Sequence, residues 1–235
     1  MALAWILAVV VAGVVSCAVL TLTGASVGAL VGGVPGALIG GVVGLAAGLG
    51  YGITLIRAGS YDATPRNIGR FVVDHTWSLV NTAVGSVFLL GNLIIRNELN
   101  VEDSRRSASV VFNRGVIPNR KRIVQVWTKA GPEQKVIRRH FATTVGNVKV
   151  GVGPESGIGL KQHEDVHVFQ ARLFGPLFLP LVGLGFLVAI VLPYWLLYHD
   201  RARRPIRSVG DYFMRGVYPH VWHEEWAYRI GGSPP

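Results

Sequence analysis

The sequence has little charge and almost no cysteine. Only 15% of its 235 residues are Asp, Glu, Lys or Arg, whereas about a quarter is usual in a soluble domain. The deficit is greatest in residues 1–56, which contain no charged side chain at all. The single cysteine, Cys17, excludes a disulfide within these residues. Cys17 lies inside an apolar run that no Lys or Arg precedes, so we expect a retained anchor rather than a lipoprotein signal.

The charge that is present is basic and lies beside apolar segments. The net charge is +10, with 17 of the 23 Lys and Arg residues between Arg57 and Arg172 and six after Tyr198. Basic residues flanking apolar segments are typical of cytoplasmic loops and of contact with anionic headgroups. We therefore predict a lipid bilayer as partner and no nucleic acid. The predicted location is the plasma membrane, with the polar part facing the cytoplasm.

The first apolar segment is followed by a regular glycine pattern. Residues 2–22 are long enough to cross the hydrocarbon core as a helix. Eight glycines then recur at every fourth position from Gly24 to Gly52. Positions four apart lie on one helix face, so this face would let another helix backbone approach closely. Pairing with residues 2–22 is the simplest use of this glycine zipper, and a homo-oligomer through the same face is the alternative.

The glycine-rich region is too long for one straight span. Pro35 lies inside it, so we expect a kink near Gly32–Gly36 and a membrane helix from about Gly36 to Ile56. The predicted fold class is an α-helical membrane protein with an N-terminal glycine-zipper hairpin and a small α+β zincin-like domain. The predicted divisions are residues 1–57, 58–173, 174–198 and 199–235.

The middle of the chain has weaker patterns. Residues 77–95 carry no charge but contain several Ser, Thr and Asn residues, so they could span, lie in the interface or pack as a buried helix. Residues 97–153 contain short β-branched runs separated by Gly, Pro and Asn, which is typical of a small sheet.

The sequence of residues 163–167, HEDVH, has the spacing of a metal site. His163 and His167 are four residues apart, so both imidazoles leave one side of a helix and can bind one ion at about 2.0–2.1 Å. Glu164 is rotated by about 100° and is placed to act as general base toward a metal-bound water. The predicted cofactor is Zn2+.

A third ligand is expected from residues 220–232, HVWHEEWAYRIGG. Glu224 is the first choice because Ala227, on the same helix face, would let this helix pack closely on the first. Glu225, one position on, is the reserve choice. His223 and His220 could bind the metal, and His223, His220 or Tyr228 could donate a hydrogen bond to an oxyanion.

These motifs carry a resemblance to known metallopeptidases. HEDVH with a downstream E-x-x-A resembles the gluzincins, and the layout is similar to the membrane-bound HtpX-like group. The resemblance is closer to a poorly characterised family of bacterial membrane proteins with HExxHxxQ, a following GP and a C-terminal E-x-W-A. The matching residues are His163, Glu164, His167, Gln170, Gly175, Pro176, Glu224, Trp226 and Ala227. Residues 74–86 also resemble that family's upstream segment, and the resemblance implies a gluzincin-type site.

The site imposes a condition on residues 174–198. If this apolar run crossed the bilayer, Glu224 would lie on the far side from His163. Arg172 precedes the run and four arginines follow within residues 201–207, so both ends favour the same side. We expect a re-entrant or peripheral hairpin, broken by its prolines and by Gly183 and Gly185 into two pieces of about 12 residues.

Two functions are compatible with these patterns. The first is a membrane-bound zinc metallopeptidase that acts on membrane proteins or peptides near the bilayer, with Glu164, His223 and Tyr228 as catalytic residues. The second is a non-enzymatic membrane scaffold or assembly protein, built on the glycine helix, whose metal site is structural or vestigial. A fourth ligand from His223 or His220 would favour the scaffold, because structural zinc sites are closed by four protein ligands.

Overall fold

The protein is mostly helical. The computed structural model describes residues 2–115, 122–128, 131–137, 141–202 and 204–232, with the backbone alone for residues 2, 122–128 and 131–137. The elements, in chain order, are α1 (Ala2–Ala58), α2 (Pro65–His75), α3 (Leu79–Ile94), α4 (Val101–Ser107), β1 (Val110–Phe112), β2 (Arg122–Thr128), β3 (Gly131–Ile137), β4 (Thr143–Val145), β5 (Val148–Val150), α5 (Ile158–Phe174), α6 (Phe178–Val191), α7 (Val209–Asp211), α8 (Tyr218–His220) and α9 (Trp222–Gly231). Short 3-10 turns cover Gly175–Leu177 and Tyr194–Leu197, and Tyr212–Val217 is π-helical.

Element α1 is a helical hairpin. Its two arms, residues 2–31 and 34–58, meet at Gly32 and Gly33, where the backbone angles are not helical. Gly33 has a φ of +59°, which glycine adopts at least cost because it has no Cβ. Pro35 lies in the first turn of the second arm. A backbone N–H at this position would have no partner within the helix, so proline, which lacks the N–H, is tolerated there. The kink predicted in this segment is confirmed.

Glycine lets the two arms touch through backbone atoms. A Cβ on Gly40 would lie 2.1 Å from the carbonyl oxygen of Gly24, and a Cβ on Gly36 would lie 2.1 Å from that of Gly28. The predicted packing of the four-residue register onto the first helix is therefore confirmed within one chain. The first arm also extends past its predicted end at residue 22, so the glycine face that a second copy would use is occupied by this arm.

Within the described residues, two helices are long and apolar enough to cross a membrane. One is the hairpin element over 56 residues, Leu3–Ala58, and the other covers 34 residues from Ile158 to Val191, joining α5 and α6. A third segment qualifies only if α2 and α3, which are bent by 88°, are taken as one span. Element α2 alone has 11 residues, or about 16 Å, which is too short to cross a hydrocarbon core of about 30 Å.

The polar part of the chain packs around the end of the second arm. Tyr51 and Leu55 of α1 share one hydrophobic core with Leu89 of α3 and with side chains of β1 and β5. Element α3 lies against α1 and buries the polar residues Asn81, Thr82, Ser86 and Asn92. The structure shows Leu79–Ile94 as a 16-residue helix packed on α1, and whether residues 77–95 span the bilayer stays a prediction.

The strands form two small sheets rather than the one predicted. The first has the order β1-β5-β4, with β1 parallel and β4 antiparallel to β5. Elements β2 and β3 pair separately as an antiparallel hairpin. Gly146, at a φ of +60°, and Asn147 form the tight turn between β4 and β5. Residues 116–121, 129–130 and 138–140 of the predicted sheet region lie outside the described residues.

Element α6 differs from the predicted broken hairpin. The helix runs unbroken through Gly183 and Gly185 and ends at Val191, just before Pro193. The chain then turns and packs back along α6: the indole of Trp222 donates to the carbonyl oxygen of Leu181 at 3.2 Å. The return path brings α9 to the side of α5, and the insertion of this hairpin into the bilayer stays a prediction.

Candidate metal centre

Three buried side chains from α5 and α9 converge on one point. His163 and His167 lie on one face of α5, and their Nε2 atoms are 3.1 Å apart. Glu224 of α9 places Oε2 at 3.3 Å from Nε2 of His163 and Oε1 at 3.5 Å from Nε2 of His167. These three residues form the group within the described residues that could hold a metal ion.

Small residues bring the two helices close enough for this convergence. Ala227 of α9 is fully buried. A Cβ on Gly231 would lie 2.7 Å from the carbonyl oxygen of Gly159 and 3.0 Å from Cβ of His163. Helix α9 then ends at Gly232, whose φ of +65° gives a left-handed cap. A larger residue at position 231 would force α9, and with it Glu224, away from the histidines.

The ligand atoms lie close enough to share one ion. One ligand atom from each of the three side chains can be chosen so that all three lie within 4.8 Å of one another. The two imidazole Nε2 atoms are 3.1 Å apart, and each faces a different oxygen of Glu224, at 3.3 and 3.5 Å. Oε2 of Glu224 is also buried without a hydrogen-bond partner, although a buried polar atom is normally satisfied. A cation held by the three side chains would satisfy it.

Electrostatics favour an ionised carboxylate at this point. Burial alone would raise the pKa of Glu224, but the imidazoles of His163 and His167 outweigh burial and hold this pKa well below its usual range. Glu224 is therefore an anion near neutral pH. A carboxylate together with two imidazoles is a donor set that zinc accepts.

Gln170 fixes the tautomer of His167. The side-chain amide of Gln170 donates through Nε2 to the carbonyl oxygen of His223 at 2.9 Å, so its Oε1 is free to accept. Oε1 lies 2.9 Å from Nδ1 of His167, which places the proton of neutral His167 on Nδ1. Its Nε2 lone pair then faces His163 and Glu224, the orientation that histidine metal ligands have when their other nitrogen donates to an outer partner.

Glu164 lies beside the metal group in a cavity of about 250 Å3. The hydroxyl of Thr144, in β4, donates to Oε2 of Glu164 at 2.5 Å. The cavity is lined by residues 142–146 around β4, by His167 and Glu224, and by apolar residues of α6. A carboxylate, a metal group and a strand edge therefore share one cleft.

The other residues predicted for the site lie at different distances from it. His223 lines the same cavity, and its Nε2 is 3.8 Å from Oε1 of Glu224. Burial lowers the pKa of His223 to about 4, so the imidazole is neutral near pH 7. The ring of Tyr228 packs on that of His163, with 4.4 Å between the ring centroids. Tyr228 also lines a second cavity, together with Glu225 and His220.

The two reserve ligands point away from the metal group. Glu225 pairs with Arg229 on the helix surface. His220 contacts the carbonyl oxygen of Gly216 through Nδ1 at 2.6 Å and stacks on Trp195. The structure therefore brings Glu224 to the histidines and leaves Glu225 and His220 outside the group.

Sequence reasoning missed two residues of the cleft. Tyr218 lines the cavity with Glu164 and Glu224, and its pKa is raised by burial and by the negative charge of Glu224. Thr144 contacts Glu164 directly. Tyr218 lies six residues before Glu224, in the same C-terminal segment, but it belongs to the short helix α8, and no spacing rule connects α8 to a site on α5 and α9.

The end of α5 is held by the segment that follows α2. The side chain of Asn81 donates to the carbonyl oxygens of Ala171 and Gly175, at 3.1 and 2.7 Å. Ser78 also donates to Ala171, and the indole of Trp77 donates to the carbonyl oxygen of Leu173. The last carbonyl groups of a helix have no partner within it, so these side chains satisfy the end of the helix that carries both histidines.

A buried ion pair connects the same helix to the rest of the fold. Arg172 makes two hydrogen bonds to Asp74, at 2.9 and 2.8 Å. Tyr61 donates to the same carboxylate at 2.5 Å, and Asn147 donates to both Tyr61 and Tyr51. These contacts connect α5 to Asp74 of α2, and then through Tyr61 and Asn147, in the turn between β4 and β5, to Tyr51 at the end of the second arm of α1. They hold α5 in a fixed orientation.

Comparison with known proteins gives no relative from which a role could be transferred. No protein family, no curated protein and no solved structure matches the chain. The function therefore has to be inferred from the geometry of the cleft.

Proposed function

We propose that this protein is a membrane-bound metallopeptidase that uses zinc to hydrolyse peptide bonds. The observation that supports the proposal is the convergence of His163, His167 and Glu224 beside the carboxylate of Glu164 in one cleft. Two histidines and a glutamate as ligands, with a separate glutamate adjacent, are the donor set of gluzincin-type peptidases, which the HEDVH and E-x-x-A motifs resemble.

Each side chain of the cleft would have a definite task. Zinc, when bound by His163, His167 and Glu224, lowers the pKa of a coordinated water and polarises a carbonyl group. Glu164 would accept the proton of the attacking water and then transfer it to the leaving amine, a general acid–base role. Thr144 would hold the Glu164 carboxylate in position through its hydrogen bond.

The oxyanion has two candidate donors in the cleft. Tyr218 and His223 both line the cavity that contains Glu164, and a hydroxyl or an imidazole N–H can stabilise negative charge that develops on a carbonyl oxygen. Tyr228, predicted for this role from the sequence, packs on His163 and lines the other cavity. Tyr218 and His223 are therefore the first residues to test.

Element β4 would bind the substrate as an extended strand. One edge of β4 pairs with β5, and residues 142–146 around β4 border the cleft. Within the described residues, the other edge of β4 has no strand paired to it. A peptide that adds to such an edge gains main-chain hydrogen bonds independent of its sequence. We propose membrane proteins or peptides close to the bilayer as substrates, because the cleft also borders apolar residues of α6.

The test is a substitution that separates metal binding from proteolysis. Glu164→Gln removes the proton acceptor but none of the three ligands, so the variant should keep about one zinc per chain and lose cleavage of an unfolded probe protein, β-casein, in detergent. Glu225→Gln is the matched control because Glu225 forms a surface ion pair outside the cleft, and it should cleave like the wild type.

The outcomes distinguish the enzyme from the scaffold. Cleavage by Glu164→Gln at the wild-type rate would show that the activity comes from another protein, and the proposal would be wrong. Zinc-loaded wild type that leaves β-casein and a mixed-sequence peptide library intact would favour a scaffold with a structural metal site. Spectroscopy of the cobalt-substituted protein would then test for a fourth protein ligand, for which His223 is the nearest candidate.

A further inference from the structure

A third cavity, separate from the two described above, lies on the opposite face of α5 from the metal centre. It has a volume of about 740 Å3 and is bordered by α2, α4 and α5. Such a volume is within the range of about 300–1,000 Å3 that is usual for small-molecule sites. The side chains that α5 contributes, including Asp165, Val168 and Arg172, lie about half a turn from His163 and His167.

Four arginines and one carboxylate line this cavity. Two of the arginines are paired: Arg172 with Asp74, and Arg106 with Asp103 and Asp165. The other two are Arg66 and Arg70 of α2.

Arg66 and Arg70 have no carboxylate partner among the described residues. The guanidinium of Arg70 donates to the side-chain oxygen of Asn67 at 3.2 Å, and the ion pairs between described residues include neither arginine. The pKa of Arg70 is lowered, first by burial and then by the positive charges of Arg172 and Arg66. The side chains of Arg66, Arg70 and Arg172 line the same cavity, and an anion bound between them would offset the repulsion between their positive charges.

The remaining walls of the cavity are apolar. Val73, Phe169 and Leu173 contribute to them, and both Phe169 and Leu173 are about half exposed. On the adjacent surface of α2, Ile68 and Val72 are also about half exposed. The cavity therefore combines arginine side chains with exposed apolar side chains, next to segments that are apolar enough to cross a membrane.

We propose that this cavity binds a phosphate group, held by Arg66 and Arg70 and oriented by Arg172. The planar guanidinium fork matches the oxygens of phosphate and forms charge-assisted hydrogen bonds with them. The group could belong to the headgroup of an anionic phospholipid, whose chains would lie against the exposed apolar side chains beside the cavity, or to free phosphate. This proposal does not depend on the proposed peptidase activity, since no metal ligand lines the cavity.

The test uses the full chain purified in a neutral detergent and two charge-matched double variants. Arg66→Gln/Arg70→Gln removes the two unpaired arginines of the cavity. Arg96→Gln/Arg114→Gln removes the same charge from exposed positions outside it. The midpoint of thermal unfolding is measured at increasing concentrations of inorganic phosphate. Chloride at the same ionic strength is the reference. Retained lipid is measured by native mass spectrometry after reconstitution with phosphatidylcholine alone or mixed with phosphatidylglycerol.

We expect the wild type and the exposed control to bind the phosphate group about tenfold or more tightly than the cavity variant, since each charge-assisted hydrogen bond is worth about 1.5 kcal/mol or more. A rise in the thermal midpoint of the wild type with inorganic phosphate would show that free phosphate is sufficient to occupy the cavity. Retention of phosphatidylglycerol that phosphate does not displace would identify the lipid headgroup. Equal responses of the two double variants, or no response of the wild type to either probe, would overturn the proposal.

Discussion

The two arms of α1 and the pair α5–α9 are both closely packed helix pairs, but different groups hold them together. In α1 the contact is made by glycine backbones, with Gly24 against Gly40 and Gly28 against Gly36. Between α5 and α9, Gly231 permits a similar approach, but the space so created is filled by polar side chains. The contact between the arms of α1 is therefore made by backbone atoms, whereas the contact between α5 and α9 includes polar side chains.

The difference matches the role proposed for each pair. In lipid there is no hydrophobic drive for helices to associate, so close packing and dispersion hold them together. Around a metal, by contrast, buried donors and acceptors need fixed partners, because an unsatisfied polar atom costs free energy and lets its side chain rotate. The hairpin should therefore respond to side-chain volume, and the α5–α9 pair to the loss of single polar atoms.

The largest expected effect is the loss of the metal when one ligand oxygen is replaced. Glu224→Gln removes the negative charge that faces His163 and His167, so the metal content should fall from about one ion per chain toward zero. Glu225→Gln makes the same change one residue away, at an exposed ion pair, and should leave the metal content unchanged. Elemental analysis after dialysis measures both. Equal metal content in the two variants would show that Glu224 is not a ligand.

The second effect concerns the buried ion pair that orients α5. Asp74→Asn leaves the buried guanidinium of Arg172 without its carboxylate, and breaking such a pair typically costs about 3–5 kcal/mol of unfolding free energy. The control is Asp62→Asn, because the hydrogen bonds of Asp62 to Thr64 are exposed. Chemical denaturation in detergent should show a large loss at position 74 and a change below about 1 kcal/mol at position 62.

The third effect tests the hairpin by volume alone. A Cβ on Gly40 would lie 2.1 Å from the backbone of Gly24, whereas one on Gly41 would lie 3.6 Å from Cβ of Ala25. Gly40→Leu should therefore destabilise the hairpin by about 1–3 kcal/mol or more, and Gly41→Leu should cost less. Neither should change the metal content, because the ligands lie on α5 and α9.

Thermal unfolding in detergent measures the two glycine variants, and cysteines introduced in the two arms report whether the contact is within one chain. If both leucine variants lost the same stability, the four-residue register would have no packing role. Crosslinks between chains in place of crosslinks within one chain would show that the glycine face pairs two copies.

The sequence predicted those parts of the fold in which local chemistry decides the structure. The glycine spacing and Pro35 specified the kinked hairpin, since only glycine permits the backbone contact and the positive φ of Gly33. The four-residue spacing of His163 and His167 likewise specified that both leave one helix face. Glu224 could be chosen over Glu225 only through its relation to Ala227.

The parts that sequence reasoning missed depend on distant contacts. Gly183 and Gly185 were expected to break the apolar run, but α6 continues through them, with the indole of Trp222 packed directly over Gly185. Helix α4 has seven residues, too few to show a periodicity, although Asn100 caps it. Tyr218 lines the cleft and directly follows the π-helical segment Tyr212–Val217, which no local pattern predicts.

The smallest expected effect is also the sharpest test of the comparison, because it removes one polar contact without touching a ligand. Gln170 is fully buried and joins Nδ1 of His167 to the carbonyl oxygen of His223. Gln170→Ala should free the His167 ring to rotate and to change tautomer. Loss of such a partner typically weakens metal binding by about 10–100-fold. The same change at Gln162, which is exposed on the same helix, should have no effect. Competition with a chelating dye measures both affinities. If Gln170→Ala bound the metal as tightly as Gln162→Ala, the polar contacts between α5 and α9 would serve packing alone, and the contrast with the glycine hairpin would disappear.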